Sequence, residues 1–269
     1  WYVNRRQIEA LREDWSDNGK LDAPVPLDIL TWPTRGNADF GPNMDFTQTT
    51  TNPMDLVAPF VDANGDGLYR VADGDYPRLK GDQMCWWVMT DDTQNTLSNH
   101  LPFGCDISVA VYLFDCPSDQ LLENTLFVDY EIVNRSQNRY SDVYVRLWND
   151  PDLGCGMDDY IGTLTQSNAI YVYNRTAPDT GCGGNPGFGD QIPVSSATFL
   201  NTALVGHTTD DMVPTNSLLY PGNPADPNGE SMCAKNLPMQ DQRSVASAGP
   251  FTMNPNGTLL FRTAFAYHS

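Results

Sequence analysis

A chain of 269 residues carrying 34 acidic and 15 basic side chains, net charge −19, is long enough to bury a sizeable core without depending on metals or disulfides. Its acidity argues against a nucleic-acid or anionic-membrane surface, because phosphate binding needs clustered Lys and Arg, and it makes cations the natural partners. No apolar run approaches the ~18 to 20 residues of a membrane-spanning helix, so no transmembrane segment is expected.

The chain begins WYVNRRQIEA, with neither an initiator Met nor a signal-peptide core, and ends on the strand-like LLFRTAFAYHS. It is therefore expected to be an internal or processed piece of a longer protein. Ile8, Leu11 and Trp15 have the spacing of one helical face, which predicts one short N-terminal helix with Asn4 as its N-cap and SDNGK as its end. From Pro24 to Pro59 the composition shifts to Pro, Gly, Asn and Thr, the mark of an ordered loop that wraps over a neighbouring domain or supports a site. Two domains follow: residues 1–80, holding the helix, the Pro/Gly-rich wrap and an acidic loop, and residues 81–269, a β-sandwich.

Within that loop, DANGDGLYRVADGD fills the pattern of an EF-hand-type calcium loop. Asp62, Asn64 and Asp66 stand at positions one, three and five, Gly67 allows the sharp turn, Leu68 offers its carbonyl at seven, and Asp73 sits at twelve. Alternate residues of a tight loop can thus present the oxygens that a hard cation requires, and Asp75 is placed to add to the shell. With Asp at position twelve and no helix pattern on either side, the expected ion is structural Ca2+ and not a switch. The competing reading is a solvated Asx-rich turn.

Beyond Gly81 the pattern is β. QMCWWVMT, DISVAVYLFD, NTLFVDYEIVNRS, SDVYVRLWND, NAIYVYN, SATFLNTALV and GTLLFRTAFAYHS are short runs rich in Val, Tyr, Phe, Leu and Thr, divided by Asn, Asp, Gly and Pro. Alternation predicts that Leu126, Val128, Tyr130 and Ile132 share one face. Together these runs predict an all-β fold, an antiparallel β-sandwich of jelly-roll or immunoglobulin-like type with long loops at 176–193 and 221–238. Adjacent Trp86 and Trp87 point to opposite faces of a strand, so at most one enters the core and either is a candidate for stacking on a sugar or a partner.

A second acidic knot, NDPDLGCGMDDYIG, follows the strand DVYVRLW. Asp150, Asp152, Asp158 and Asp159 converge on a second cation if Gly154 and Gly156 close the turn; otherwise their charges face water and Cys155 is the anchor. None of the six cysteines falls in a C-x-x-C pair, which favours disulfides in an oxidising compartment over a zinc site, with buried thiols as the other reading. Nearness along the chain suggests Cys105 with Cys116 and Cys155 with Cys182, leaving Cys85 for Cys233.

The order of these motifs, from APFVDANGDGLYRVADGDYPRLKGDQMCWWVMTDD through NTLFVDYEIVNRS and VRLWNDPDLGCGMDDYIG to VASAGPFTMNPNG, resembles a region of large secreted surface proteins of Bacteroidetes, with a dockerin-like calcium loop. The resemblance covers roughly residues 28 to 269. It implies export by type IX secretion, extracellular display and calcium-stabilised β structure, and it supplies no catalytic residue.

For catalysis the sequence offers little. There is no G-x-S-x-G, and His100, His207 and His268 stand alone without metal-ligand spacing. A carboxylate pair for glycoside hydrolysis is a property of the fold and stays open. The expected function is an extracellular, calcium-stabilised structural or adhesive module that meets other surface or matrix proteins or itself, with filament assembly through the last strand. The alternative is a carbohydrate-binding module or polysaccharide-acting enzyme whose partners are glycans.

Overall fold

Asn4 can begin a helix because its side chain satisfies a first-turn N–H that the backbone leaves without a partner. The computed structural model describes residues 1–40, 58–91, 101–184, 186–209 and 217–268, so residues 41–57 of the Pro/Gly-rich wrap and His100 lie outside the described residues. In it β1 (Tyr2–Asn4) leads into α1 (Arg5–Asn18). The Asn4 side chain accepts from the Gln7 N–H and the Gln7 side chain from the Asn4 N–H, a reciprocal capping box. At the far end Gly19, in the left-handed region, donates its N–H to the Trp15 carbonyl. Two single-turn helices, α2 (Leu27–Leu30) and α3 (Gln120–Glu123), are the other α-helices among the described residues.

Among the described residues all else that is regular, apart from three short 3-10 turns, is strand: β2 (Phe60–Val61), β3 (Tyr76–Pro77), β4 (Gln83–Thr90), β5 (Cys105–Leu113), β6 (Thr125–Asn134), β7 (Tyr140–Asn149), β8 (Asp159–Leu164), β9 (Ala169–Asn174), β10 (Val194–Phe199), β11 (Gly206–Thr208), β12 (Ser244–Met253) and β13 (Thr258–His268). They form an eight-stranded sheet in the order β1-β4-β5-β6-β13-β10-β9-β8, a three-stranded sheet β11-β12-β7 and the β2-β3 pair. The fold is all-β and antiparallel, of the sandwich-like kind that the short strands and turn clusters predict. Six strands lie outside the expected runs: β1, β2, β3 and β11, of two or three residues each, and the longer β8 and β12. β8 lies in what reads as acidic loop, and β12 is built from SVASAGPFTM, whose small residues give no apolar run. The last strand, β13, lies between β6 and β10, so the open edge that filament assembly would use is absent there.

By contacts the chain divides into two units. The first comprises Trp1–Pro117, Val128–Asn138 and Asn254–Leu260, and residues 1–80 all fall within it. Its core gathers Ile8 and Leu11 of α1 with Ile29, Trp32, Tyr69 and Trp86. Trp86 stands 6.0 Å from the Trp1 ring and 6.1 Å from the Trp32 ring, centre to centre. Two buried carboxylates here have their own cations, Asp129 with Lys80 at 2.6 Å and Asp106 with Arg135 at 2.8 Å. On β6 the expected single apolar face is not clean: Val128 is buried, Leu126 is exposed, and the neighbouring Asp129 is buried on the other face.

The second unit comprises Ser118–Phe127, Arg139–Met253 and Phe261–Ser269. Tyr160, Ile161, Tyr171, Val172, Tyr173 and Met232 form its core. The hydroxyls of Tyr160 and Tyr171 donate to the carbonyls of Leu237 and Gly222, and so hold the 221–238 loop against β8 and β9. Buried polar groups need such partners.

His207, 1% exposed, lies in this unit with Nδ1 2.7 Å from the Thr163 hydroxyl. That hydroxyl donates to the Leu219 carbonyl, so it accepts from Nδ1–H and the ring is neutral, with Nε2 unpartnered. Burial pushes its pKa down from 6.5 to about 4. The unfolded chain therefore takes up a proton at His207 that the folded chain refuses. Stability present above pH 6.5 is lost as the pH falls towards about 4. Between pH 7 and 4.5 the loss from this group is on the order of 2 to 3 kcal/mol. In urea unfolding, His207→Leu should lose that much less stability over the same interval than the unaltered chain; equal losses would place the acid sensitivity elsewhere.

Candidate metal centre

The segment 62–75 connects β2 to β3, whose pairing sets Phe60 opposite Pro77 and Val61 opposite Tyr76. Between them the chain turns back on its own side chains. Asp62 Oδ1 accepts from the N–H groups of Gly65 (2.7 Å) and Asp66 (3.2 Å), and Oδ2 from Gly67 (2.7 Å). Asn64 Oδ1 accepts from the Asp66 N–H and Asp66 Oδ1 from the Leu68 N–H. This is the successive Asx-turn geometry that short polar side chains favour.

The expected ligand side chains are brought together on one side. The Asn64 amide is 3.3 Å from Asp66 Oδ2 and 3.5 Å from Asp73 Oδ2. Arg70 bridges the same two carboxylates, at 2.5 Å and 3.6 Å. The Leu68 N–H, with Arg70 beside it, holds the Asp66 carboxyl below the usual carboxylate range. Among the described residues no three or more His, Cys, Asp or Glu side chains are placed to hold an ion together. The loop instead offers two carboxylates and an amide around the Arg70 guanidinium, while Asp62 holds the turn. These are hard oxygen donors of the kind calcium takes, and carboxylate oxygens already accepting from N–H keep further lone pairs. The donor chemistry therefore fits the ion, on the condition that Arg70 gives way.

Asp75 has a role that its position in the sequence does not suggest. Fully buried, it accepts from the Ala63 N–H with Oδ1 and from the Arg70 N–H with Oδ2, each at 2.8 Å. Its oxygens close the loop and do not join the ligand side chains. Apolar residues then anchor the loop to the N-terminal segment: the buried Tyr69 hydroxyl donates to the Ile29 carbonyl and its N–H to the Arg35 carbonyl, each at 2.8 Å. The Trp15 indole donates to the Ala72 carbonyl and packs on Gly74, where a β-carbon would come within 2.8 Å of the ring.

In the second acidic loop the four expected carboxylates part company. Asp150 is drawn to Arg243, 3.2 Å away. Asp152, Asp158 and Asp159 stay near one another and are joined by Asp179 from the 176–193 loop, a residue the sequence reading missed because it lies two strands further along the chain. Gly154 and Gly156 allow this. A β-carbon on Gly154 would lie 1.8 Å from an Asp179 oxygen, and one on Gly156 would lie 2.0 Å from an Asp152 oxygen. Between them Cys155 is bonded to Cys182. Burial, followed by the charges of Asp158, Asp152 and Asp179, pushes Asp159 up to about 7, against the pull of the Leu153 N–H. Burial and Asp179 raise Asp158 as well.

The other expected disulfides do not form; Cys85, Cys105, Cys116 and Cys233 are thiols. The extended strand β5 carries the chain roughly 26 Å from Cys105 to Leu113 at ~3.3 Å per residue, and the next three residues span at most ~11 Å, too little to bring Cys116 back to the ~4.4 to 6.8 Å a disulfide spans. Cys85 and Cys233 belong to different units. Trp86, 3% exposed, is core and cannot stack on a ligand, whereas Trp87 is 37% exposed. No protein-family model matches the chain, and no curated protein matches it either.

Replacing Asp75 with Ala leaves two N–H groups without acceptors and should cost about 2 to 4 kcal/mol in urea unfolding. Asp75→Asn keeps one acceptor oxygen and should cost less; the same loss for both would mean that the carboxylate's charge, and not its two hydrogen bonds, is what matters.

Proposed function

We propose that this chain is a calcium-stabilised structural or adhesive module of an extracellular protein, displayed at a cell surface or in a matrix. The observation that carries the reading is the 62–75 loop. It gathers Asn64, Asp66 and Asp73 around one cationic group, and through Tyr69 and Ala72 it ties the N-terminal helix and the segment at 29–36 to the β2-β3 pair. The ligands would be the side chains of Asp62, Asn64, Asp66 and Asp73 with the Leu68 carbonyl, and the ion would act as a cross-link. It takes the place of Arg70 on Asp66 and Asp73, and Arg70, 46% exposed, turns to solvent. The Cys155–Cys182 disulfide supports an oxidising location, and the motif order supports kinship with type IX-exported surface proteins.

Calcium at a hundredfold excess over its Kd should raise the melting temperature of the chelator-treated chain by roughly 5 to 10 °C. The double change Asp62→Ala, Asp66→Ala should remove this loop's share of the rise and one bound ion. Arg70→Ala should enlarge the rise, because it weakens only the calcium-free form. A melting temperature that ignores both calcium and chelator would return the stretch to a solvated turn.

A second reading, a carbohydrate-binding module, rests on Trp87. It shares the outward face of β4 with exposed Met89, beside exposed Tyr2 of β1, which pairs opposite Cys85. Retention on insoluble polysaccharide that disappears in Trp87→Ala, with the melting temperature kept, would select this reading; no retention by the unaltered chain would remove it.

A further inference from the structure

The start of the β8–β9 ladder sets Asp159 directly opposite Asn174. Partners in an antiparallel pair point to the same face with β-carbons ~4.5 to 5.5 Å apart, so their oxygen-bearing groups lie side by side. Asp159 is fully buried. Its Oδ2 accepts from the Leu153 N–H at 2.9 Å, and its Oδ1 is buried with no partner. Asn174 donates its amide to Asp158 Oδ1 at 3.1 Å, and its own Oδ1 is likewise buried with no partner. Two acceptors thus share a dry face without a donor, an arrangement that costs free energy unless something positive lies between them.

The charges that act on Asp159 among the described residues are all negative. Asp152, Asp158 and Asp179 are close enough to raise the Asp159 carboxyl together with its burial. Arg175, next to Asn174 on the chain, gives its guanidinium to the Asn236 side chain at 2.6 Å and to the Tyr160 ring. Asp179 is satisfied by the N–H groups of Gly181 and Phe188, each at 2.9 Å. The Cys155–Cys182 bond fastens the loop carrying Asp152 and Asp158 to the one carrying Asp179. Like charges are therefore held together by a covalent tie that opposes their repulsion.

We propose that this end of the β8–β9 ladder is a cation site. A divalent ion of the calcium class takes Asp159 Oδ1 and Asn174 Oδ1, and Asp158 and Asp152 turn inward to complete an oxygen shell. The donors are carboxylate and carboxamide, which suit a hard ion and exclude zinc-type sulfur and imidazole ligation. The site is independent of the 62–75 loop: it lies in the other unit and shares no residue with it.

The test is ion stoichiometry on the full chain by equilibrium dialysis with calcium at pH 7.5, after chelator treatment. Asp159→Asn, which keeps the size and an acceptor for Leu153, should remove one bound ion from whatever total the unaltered chain shows. Asp62→Ala, Asp66→Ala should leave that ion in place, so failure of the first loop and failure of this site read differently. Asp152→Asn should weaken the same ion at least tenfold, and it carries the test if Asp159→Asn does not fold. The proposal is overturned if the chain carrying Asp62→Ala, Asp66→Ala binds no calcium, or if neither Asp159→Asn nor Asp152→Asn changes the ion count or affinity. A proton on Asp159 would then be what joins it to Asn174.

Discussion

A carboxylate buried without a counter-charge must find its hydrogen bonds in the backbone, and Asp75 does so across the loop that it closes. By accepting from Ala63 and Arg70 it fixes both ends of the turn. The residues between are then sorted by which way the turn faces. Asn64, Asp66 and Arg70 face solvent, and Tyr69 and Val71 enter the core beside Ile29 and Trp32. One carboxylate thus determines where the polar cluster forms and where the loop is anchored. The tie from α1 through Trp15, and that from the wrap through Tyr69, both depend on that path.

Buried acid recurs through the molecule and is resolved in different ways. Asp106 and Asp129 are met by Arg135 and Lys80, which leaves each carboxylate paired in place of an isolated buried charge. Asp75 and Asp179 are met by pairs of N–H groups. Asp159 is met by a single N–H. The net charge of −19 is therefore more than a solvated surface: part of the acid is structural, and each buried member has to be compensated individually.

The local signals carried well. The expected run QMCWWVMT coincides with β4 from Gln83 to Thr90, and Asn4 does cap the N-terminal helix. These features depend on neighbouring residues, which is what periodicity and capping report. What was hidden depends on partners remote along the chain. β8 reads as loop because Asp159 and Gly162 interrupt its apolar residues, and only pairing with β9 and cover from Met232 make it core. Asp179 and Asn174 show their relation to Asp159 only once β9 folds back. The disulfides were legible at Cys155 and Cys182, which flank the antiparallel β8–β9 pair that folds its two ends back together, and misleading at Cys105 and Cys116, which a single extended strand carries apart. Trp86 and Trp87 were correctly set on opposite faces by the two-residue period, but the choice of which one entered the core was made by Trp1 and Trp32.

The two acidic loops differ in one physical respect. Both are pinned, the first by the hydrogen bonds of Asp75 and Tyr69 and the second by a disulfide, so neither can relax its charges simply by spreading apart. The first carries its own cation: Arg70 is four residues from Asp66 and three from Asp73 and neutralises both. In the second, Arg243 pairs with Asp150 and with Asp241, and Asp159 keeps an oxygen with no partner. An ion entering the first loop would have to displace a guanidinium, whereas one entering the second would meet the unpartnered oxygens of Asp159 and Asn174. Matching a loop to a calcium pattern picks out the first of these, whereas at the second the sequence shows an acidic knot without a standard spacing, and its unpartnered oxygens are set side by side only once β8 pairs with β9.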